Sequence, residues 1–513
     1  MISIKFGAKS KRYKEDAVNL VILLLITFLL GIYLIATTVL IAQDGIFYFE
    51  RAKKLSSDPR SVVTSHPPGY PFLIFIAFKF VGLFNSNPSV QTLVYTAQSI
   101  TLLCRLLAIV PLYFIGKLLV GPRNSFWALL ILILLPYPAS FGSDVLRDWP
   151  HILFLAAGFL FLLWGVEQGK WWFFGIAGLV AGLGFTIRPE CAQLVIYGVL
   201  WLLIRLFVPT HKMNRPKLIR ALFILLIGFA IPAAPYIKVR GRVLPRKLKS
   251  VISCNAPWQS SGLEQSGFDN TIAVYTASGV TTDILKALGK LVQQTSENLM
   301  YFFVLPLIVG LYCHFRKIRK VLLTERFFIL ALIILYVVMM VLLHINYSYI
   351  SRRHCMPIIV FTAFYIPVGL RILARWLSKR TSKNGLAVTK NRRRWFFILV
   401  AVGFSICMVK FGRITPLRWE KQGYIDTAKW LKENTSEKDL IAMADSRIGF
   451  YAQRSSRRMD GEKIPANTTY VVKFLDGKQA EDSLSFNREV RKRYSVWMSK
   501  KKRKKKIVIY EVL

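Results

Sequence analysis

The sequence predicts a mainly α, polytopic membrane helical bundle of about eleven spans, followed by a small C-terminal α/β domain outside the membrane. Three observations carry that expectation. Of 513 residues, 54% are hydrophobic, and the mean hydropathy is +0.42. Apolar runs near the length of about 20 residues needed to cross a hydrocarbon core recur along the chain. From 411 onward the long runs stop, and short helix-like and strand-like pieces alternate.

The first apolar run, 17–42, is too long for a signal-peptide core and precedes no small-residue cleavage pattern, so it is expected to remain as span one. Further spans are placed at 90–118, 124–139, 150–167, 171–187, 190–208, 218–237, 296–313, 326–345, 354–375 and 395–411. These make a membrane unit over 1–411, with an outer loop at 43–69, and leave 412–513 as the outer domain. In that domain YIDTAKWLKENTSEKD reads as an amphipathic helix with Ile425, Ala428, Trp430 and Leu431 near one face. DLIAMAD, NTTYVVKFL and KIVIYEVL read as strands.

A net charge of +43 in a soluble chain would suggest nucleic acid. Here the Lys and Arg cluster in short loops between apolar runs, which is a topology signal, and no nucleic-acid partner is expected. KSKRYK, HKMNRPKLIR, HFRKIRK and RWLSKRTSKNGLAVTKNRRR fall on one face when eleven spans are counted. That places the N-terminus in the cytoplasm and the last domain outside. KVRGRVLPRKLK, in the expected outer loop 238–290, runs against the pattern. Counting 70–84 as a further span would reverse every later loop, so this segment of about 15 residues is expected to enter the outer leaflet, or to pack obliquely against the bundle, without crossing. KKKRKKK near the end reads as a solvated basic turn, with anionic lipid or glycan as the sharper alternative. The six cysteines are scattered and show neither CxxC nor zinc-type spacing.

Charged residues beside apolar spans are the functional lead, because a charge near lipid is costly without a partner or a use. In AQDGIFYFERAKKL, Asp44 opens a surface helix that puts Ile46, Phe47, Phe49 and Ala52 on an apolar arc, with Tyr48 elsewhere. Capping that helix is the plainer role for Asp44. In SHPPGYP two prolines forbid regular helix and hold His66 on a stiff turn near Asp44. In FGSDVLRDWPHIL, Asp144, Arg147 and Asp148 share the spacing of one helical face. Arg188 and Glu190 occupy a short turn in GLGFTIRPECA, and Arg352, Arg353 and His354 form a companion set in YSYISRRHCMP. Acids here could take a proton from a hydroxyl, and arginines could clamp a phosphate.

The order of these stretches resembles the GT-C membrane glycosyltransferases, closest to bacterial members related to glycosyltransferase family 39, which includes protein O-mannosyltransferases and the lipid A aminoarabinose transferase. Asp44 after span one, DGIFYFERAKKL, HPPGYP, AGLGFTIRPE, SRRHCMP and the C-terminal GYIDTAKWLKENTSEKDLIAMADSRIGFYAQRSSRR carry the likeness. It implies transfer of a sugar from a polyprenyl-phosphate-linked donor to an acceptor protein, lipid or glycan, at the outer face of a bacterial inner membrane. By position, Asp44 would be the catalytic acid/base, His66 would flank the site, and Asp148 would be the second acid. Arg188 would hold the donor phosphate, with Arg147, Arg352 and Arg353 as further phosphate ligands and Asp144, Glu190 and Tyr48 supporting. Gly45 follows Asp44, so there is no DE or DxD signature, and a metal-free mechanism without cofactor is favoured, with a divalent metal as the alternative. A flippase of a lipid-linked glycan should instead show internal repeats and polar residues deep in its spans. A non-catalytic scaffold stays open at this level.

Overall fold

The structure, a computed structural model, describes residues 2–208, 213–241, 277–316, 326–381, 385–459, 463–476, 486–499 and 503–513. KKKRKKK, HFRKIRK and the stretch after Gly241 therefore lie partly or mostly outside the described residues. The chain opens with α1 (Ile2–Ala36), α2 (Gln43–Lys54), α3 (Pro59–Ser65) and α4 (Gly69–Gly82). The bundle continues with α5 (Val90–Val120), α6 (Pro122–Leu134), α7 (Pro136–Phe141), α8 (Asp148–Gln168), α9 (Trp172–Ile187), α10 (Gln193–Phe207) and α11 (Arg215–Arg240). It closes with α12 (Ala277–Asn298), α13 (Val304–Phe315), α14 (Arg326–Tyr347), α15 (Met356–Thr362), α16 (Ile366–Thr381) and α17 (Gly385–Ile414).

Eight helices among the described residues are long and apolar enough to cross a membrane, and four shorter apolar helices lie at Gly69–Gly82, Pro122–Leu134, Trp172–Ile187 and Val304–Phe315. The chain is a multi-pass membrane protein, and each of the eleven expected spans overlaps one of these helices. The span 354–375 passes through a 3₁₀ turn at Ala363–Tyr365 between α15 and α16, and two further expected spans are broken outright. The run 124–139 divides at Leu135, whose extended backbone (ψ 121) is what a following proline demands. The run 296–313 divides after Asn298, where Met300 and Tyr301 take left-handed φ values of 54° and 58° and the Tyr301 N–H turns back to the Ser296 carbonyl. Residues 277–290, expected as loop, belong to α12.

The HPPGYP stretch behaves as its prolines require. His66 is the extended C-cap of α3, and α4 restarts after Pro68. At about 21 Å, α4 is shorter than a hydrocarbon core of about 30 Å. It buries Tyr70, Pro71 and Ile74 against its neighbours, and the Tyr70 hydroxyl bonds Thr101 at 2.7 Å. The α9–α11 contact depends on small residues: a Cβ on Gly178 would stand 2.2 Å from the Leu225 carbonyl oxygen, and one on Gly228 would stand 2.4 Å from that of Gly175.

The C-terminal α/β region contains α18 (Gln422–Asn434), β1 (Ile441–Met443), α19 (Arg447–Ala452), β2 (Ser456–Arg458), β3 (Tyr470–Asp476), β4 (Val490–Trp497) and β5 (Lys505–Val512). The sheet order is β2-β1-β3-β5-β4. β1 runs parallel to β2 and β3, while β5 is antiparallel to β3 and β4. The expected helix and three strands are present. β2, β4 and α19 were not anticipated, because β2 is fully exposed and β4 is an edge strand rich in Arg and Lys. Ile441, Met443, Leu431 and Val472 make a core that also takes in Leu40, from the linker after α1. Phe49 of α2 packs edge-on against Phe450 at 4.8 Å. The α/β region is thus packed directly on the helix that carries Asp44.

Candidate active site

Asp44 sits in the first turn of α2, where the helix dipole favours a carboxylate. The expected apolar arc of α2 is rotated: Gly45, Ile46, Tyr48, Phe49 and Ala52 are buried. Positions 45, 48, 49 and 52 form one helical face, so Tyr48 turns inward onto Tyr70, with ring centroids at 5.1 Å. Burial pushes the Tyr48 phenol above its ordinary pKa. Phe47 instead faces the site, where it takes the Arg51 guanidinium at 3.5 Å and the His66 ring at 4.7 Å. Gly45 has a steric reason for its identity. A Cβ there would lie 3.0 Å from the Val145 Cβ and 3.2 Å from its carbonyl oxygen, so the position after Asp44 has little room for an acid.

The second acid motif departs from its expected geometry. Asp144 and Arg147 lie in an irregular turn, and α8 begins only at Asp148. The three residues therefore do not share a helical face. Asp144 is 1% exposed. Its Oδ1 accepts from the backbone N–H groups of Val145 at 2.8 Å and Ala42 at 3.0 Å, local bonding of the kind that competes with helix. Its Oδ2 accepts from Arg418. Asp148 turns to other partners: Arg188 Nη1 donates to its Oδ1 at 3.0 Å, and Arg353 Nε donates to its Oδ2 at 2.9 Å. Arg188 Nε also donates to Glu190 at 3.0 Å. Arg353 Nη1 reaches on to Asp44 Oδ2 at 2.7 Å.

The result is one continuous chain of charge, Glu190–Arg188–Asp148–Arg353–Asp44, buried at Arg188 and Asp148 and ending in a half-exposed carboxylate. The Asp148 side chain is 2% exposed and that of Asp44 is 54% exposed. Burial acts to lower the Arg353 pKa, but the carboxylates of Asp148 and Asp44 outweigh it and hold the guanidinium charged. Arg352 turns away from this chain. It pairs with Glu297 at 3.7 Å and lies over the Tyr137 ring at 4.2 Å.

Asp44 opens onto a cavity of about 620 Å³, whose other linings include Tyr48, Glu50, His66 and Arg147 on the membrane side. Across it stand Met443, Ala444, Ser446, Ser456, Arg457 and Arg458 of the α/β region. Of the expected phosphate ligands, only Arg147 is in this lining; Arg188, Arg352 and Arg353 are held by carboxylates. The Arg147 guanidinium has no hydrogen bond or ion pair among the described residues. No group of three or more His, Cys, Asp or Glu side chains converges as a metal site among the described residues. Glu50, Arg457, Arg458 and Arg418 escape sequence reading. They sit among 70 lysines and arginines or in ordinary helical sequence, and nothing local marks them.

Residues 65–234 match the family model described as dolichyl-phosphate-mannose-protein mannosyltransferase; this window holds His66, the Asp144–Asp148 turn and the Arg188–Glu190 turn, but neither Asp44 nor Arg353. Among solved structures, the chain is similar to the archaeal oligosaccharyltransferase AglB from Archaeoglobus fulgidus in complex with an inhibitory peptide and a dolichol-phosphate. The identity is 16% and the TM-score 0.56, over 91% of this chain and 70% of that one. It is also similar to ArnT from Cupriavidus metallidurans bound to undecaprenyl phosphate, with 12% identity and a TM-score of 0.53 over 96% of this chain and 97% of that one. At these identities the likeness is one of fold. No curated protein matches by sequence.

Proposed function

We propose that the chain transfers a sugar from a polyprenyl-phosphate-linked donor to an acceptor hydroxyl at the outer face of a bacterial inner membrane. The N-terminus would be cytoplasmic, and the α/β region, 412–513, would be the outer domain. One observation carries this reading: Asp44 and the unpaired Arg147 line the same cavity, walled by the bundle on one side and the α/β region on the other. The family match and the fold shared with AglB in complex with a dolichol-phosphate and with ArnT bound to undecaprenyl phosphate support the donor class.

In this mechanism Asp44 accepts the proton of the acceptor hydroxyl. The oxygen attacks the anomeric carbon as the bond to the phosphate oxygen breaks, so direct displacement inverts the anomeric centre. The electron pair leaves with the polyprenyl phosphate, whose growing charge Arg147 neutralises. Arg353 fixes one Asp44 oxygen while Asp148 and Arg188 brace Arg353 from behind; Glu190 completes that brace. Tyr48 supports the α2 face, and His66 borders the cavity. The acceptor, a protein, lipid or glycan, would approach along Ser446, Ser456, Arg457 and Arg458.

The test uses purified protein in liposomes holding a polyprenyl-phosphate hexose labelled in the sugar, supplied with envelope extract as an acceptor pool. Label leaving the lipid for a new covalent product, with release of polyprenyl phosphate, supports the reading. Movement of intact labelled lipid between leaflets without release defeats it and favours a flippase.

A further inference from the structure

Four consecutive residues of the linker between α1 and the Asp44 helix, 39–42, are each held from outside by a hydrogen bond. The Val39 N–H donates to the Leu417 carbonyl at 3.0 Å. The Leu40 carbonyl accepts from Arg418 Nη1 at 2.7 Å. The Ile41 N–H donates to the Tyr451 hydroxyl at 3.3 Å. The Ala42 N–H donates to Asp144 at 3.0 Å. Leu417, Arg418 and Tyr451 belong to the C-terminal region, about 400 positions further along the chain. Arg418 is the centre of this arrangement, since its second nitrogen, Nη2, donates to Asp144. One guanidinium thus ties the linker carbonyl to the carboxylate that holds the next linker amide but one.

Arg418 makes these bonds from an unfavourable backbone. Its φ is 61° and its ψ 28°, the left-handed region that non-glycine residues seldom enter. Glycine would fit that conformation better, but glycine has no guanidinium. The side chain therefore contributes something that the turn itself does not need. Leu40, buried in the α/β core, adds an apolar pin to the same linker.

We propose that Arg418, with Asp144 and Tyr451, positions the catalytic carboxylate. The α/β region splints the linker so that Asp44 stands at the cavity, against Arg353. On this account the region is a working part of the active site as well as one of its walls. The proposal rests on the reading of Asp44 as the base. It adds a positioning role for three residues that touch neither donor nor acceptor.

Arg418→Gly is the discriminating variant, because it relieves the turn while deleting the splint. In the reconstituted transfer assay its kcat should fall by roughly 10²-fold, the scale of an ångström-level misplacement, with the donor KM within about two-fold. Hydrogen exchange of the amides at 39–45 should accelerate, whatever the state of the chemistry. Arg418→Lys should recover part of kcat by restoring one of the two contacts, and Tyr451→Phe should cost less than Arg418→Gly. Unchanged exchange at 39–45 in Arg418→Gly overturns the splint. Faster exchange with unchanged kcat overturns its catalytic meaning. An Asp44→Asn control that keeps full activity removes the base itself, a failure of the underlying reading that leaves the exchange result intact.

Discussion

Arg353 donates to Asp44 at 2.7 Å across 309 positions of sequence, and the same guanidinium holds Asp148 at 2.9 Å. This pairing joins the helix after span one to the turn before α15. It fixes the orientation of a carboxylate that would otherwise swing freely at a cavity mouth. Arg147, beside Asp44 on the bundle side of the cavity, has no carboxylate partner among the described residues and is suited to an anion that arrives with substrate.

Arg147→Ala should therefore lower kcat for sugar transfer by about 10²–10³-fold, as removal of one well-placed donor to a developing anion does. Arg147→Lys should recover part of this, since a point charge remains but the planar fork is lost. Thermal unfolding of both variants should stay close to the parent, because the guanidinium makes no hydrogen bond or ion pair among the described residues.

Asp148 predicts the opposite pattern. Its side chain is 2% exposed and sits between two guanidiniums. Asp148→Ala leaves both facing each other without their shared anion and should cost about 3–5 kcal/mol of stability. Lower yield and an earlier thermal transition in detergent would report this before any assay of activity.

The fold was readable where apolar runs are long. All eleven expected spans meet a helix, and the misplacements come from signals that hydropathy lacks: the proline after Leu135 and the left-handed pair at Met300 and Tyr301. The site was readable as a set of residues more than as a geometry. Asp44, Asp148, Arg188, Glu190 and Arg353 come together, but Asp144 and Asp148 point to different partners, since the turn between them is not helical. Arg418 was invisible because its partners are 274 and 378 positions away. An arginine among dozens carries no local mark of such a role. Tyr48 and Phe47 exchanged their expected faces because a tyrosine ranks below a phenylalanine in hydropathy yet packs as well against Tyr70.

Helix packing gives a paired test. Gly178→Ala brings a Cβ within 2.2 Å of the Leu225 carbonyl oxygen and should destabilise the bundle by about 1–3 kcal/mol. Gly289→Ala, in α12 with nothing within 4 Å of the added carbon, should be neutral or stabilising by up to about 1 kcal/mol. Thermal unfolding of the two variants side by side should move in opposite directions or separate clearly.

The α/β region carries its own pH signature. Burial acts to raise the Asp445 pKa, but the Arg447 guanidinium and N–H at 2.5–3.1 Å prevail and hold it below the ordinary 3.8. The stabilisation is therefore present above pH 3.8 and lost as the pH falls through the lower folded value. Asp445→Asn should cost about 1.5–3 kcal/mol at neutral pH, as for a hydrogen bond to a charged group. The gap between parent and variant unfolding temperatures should narrow only below pH 3.8.

The central claim is that Asp44 takes the proton of the acceptor. It is tested most directly by comparing parent and Asp44→Asn in liposomes with the labelled polyprenyl-phosphate hexose, under single-turnover conditions. Asparagine keeps the size and can still accept from Arg353, so donor binding should persist. The rate of label transfer should fall by about 10²–10⁴-fold, the usual contribution of a general base. Transfer at the parental rate would contradict the account.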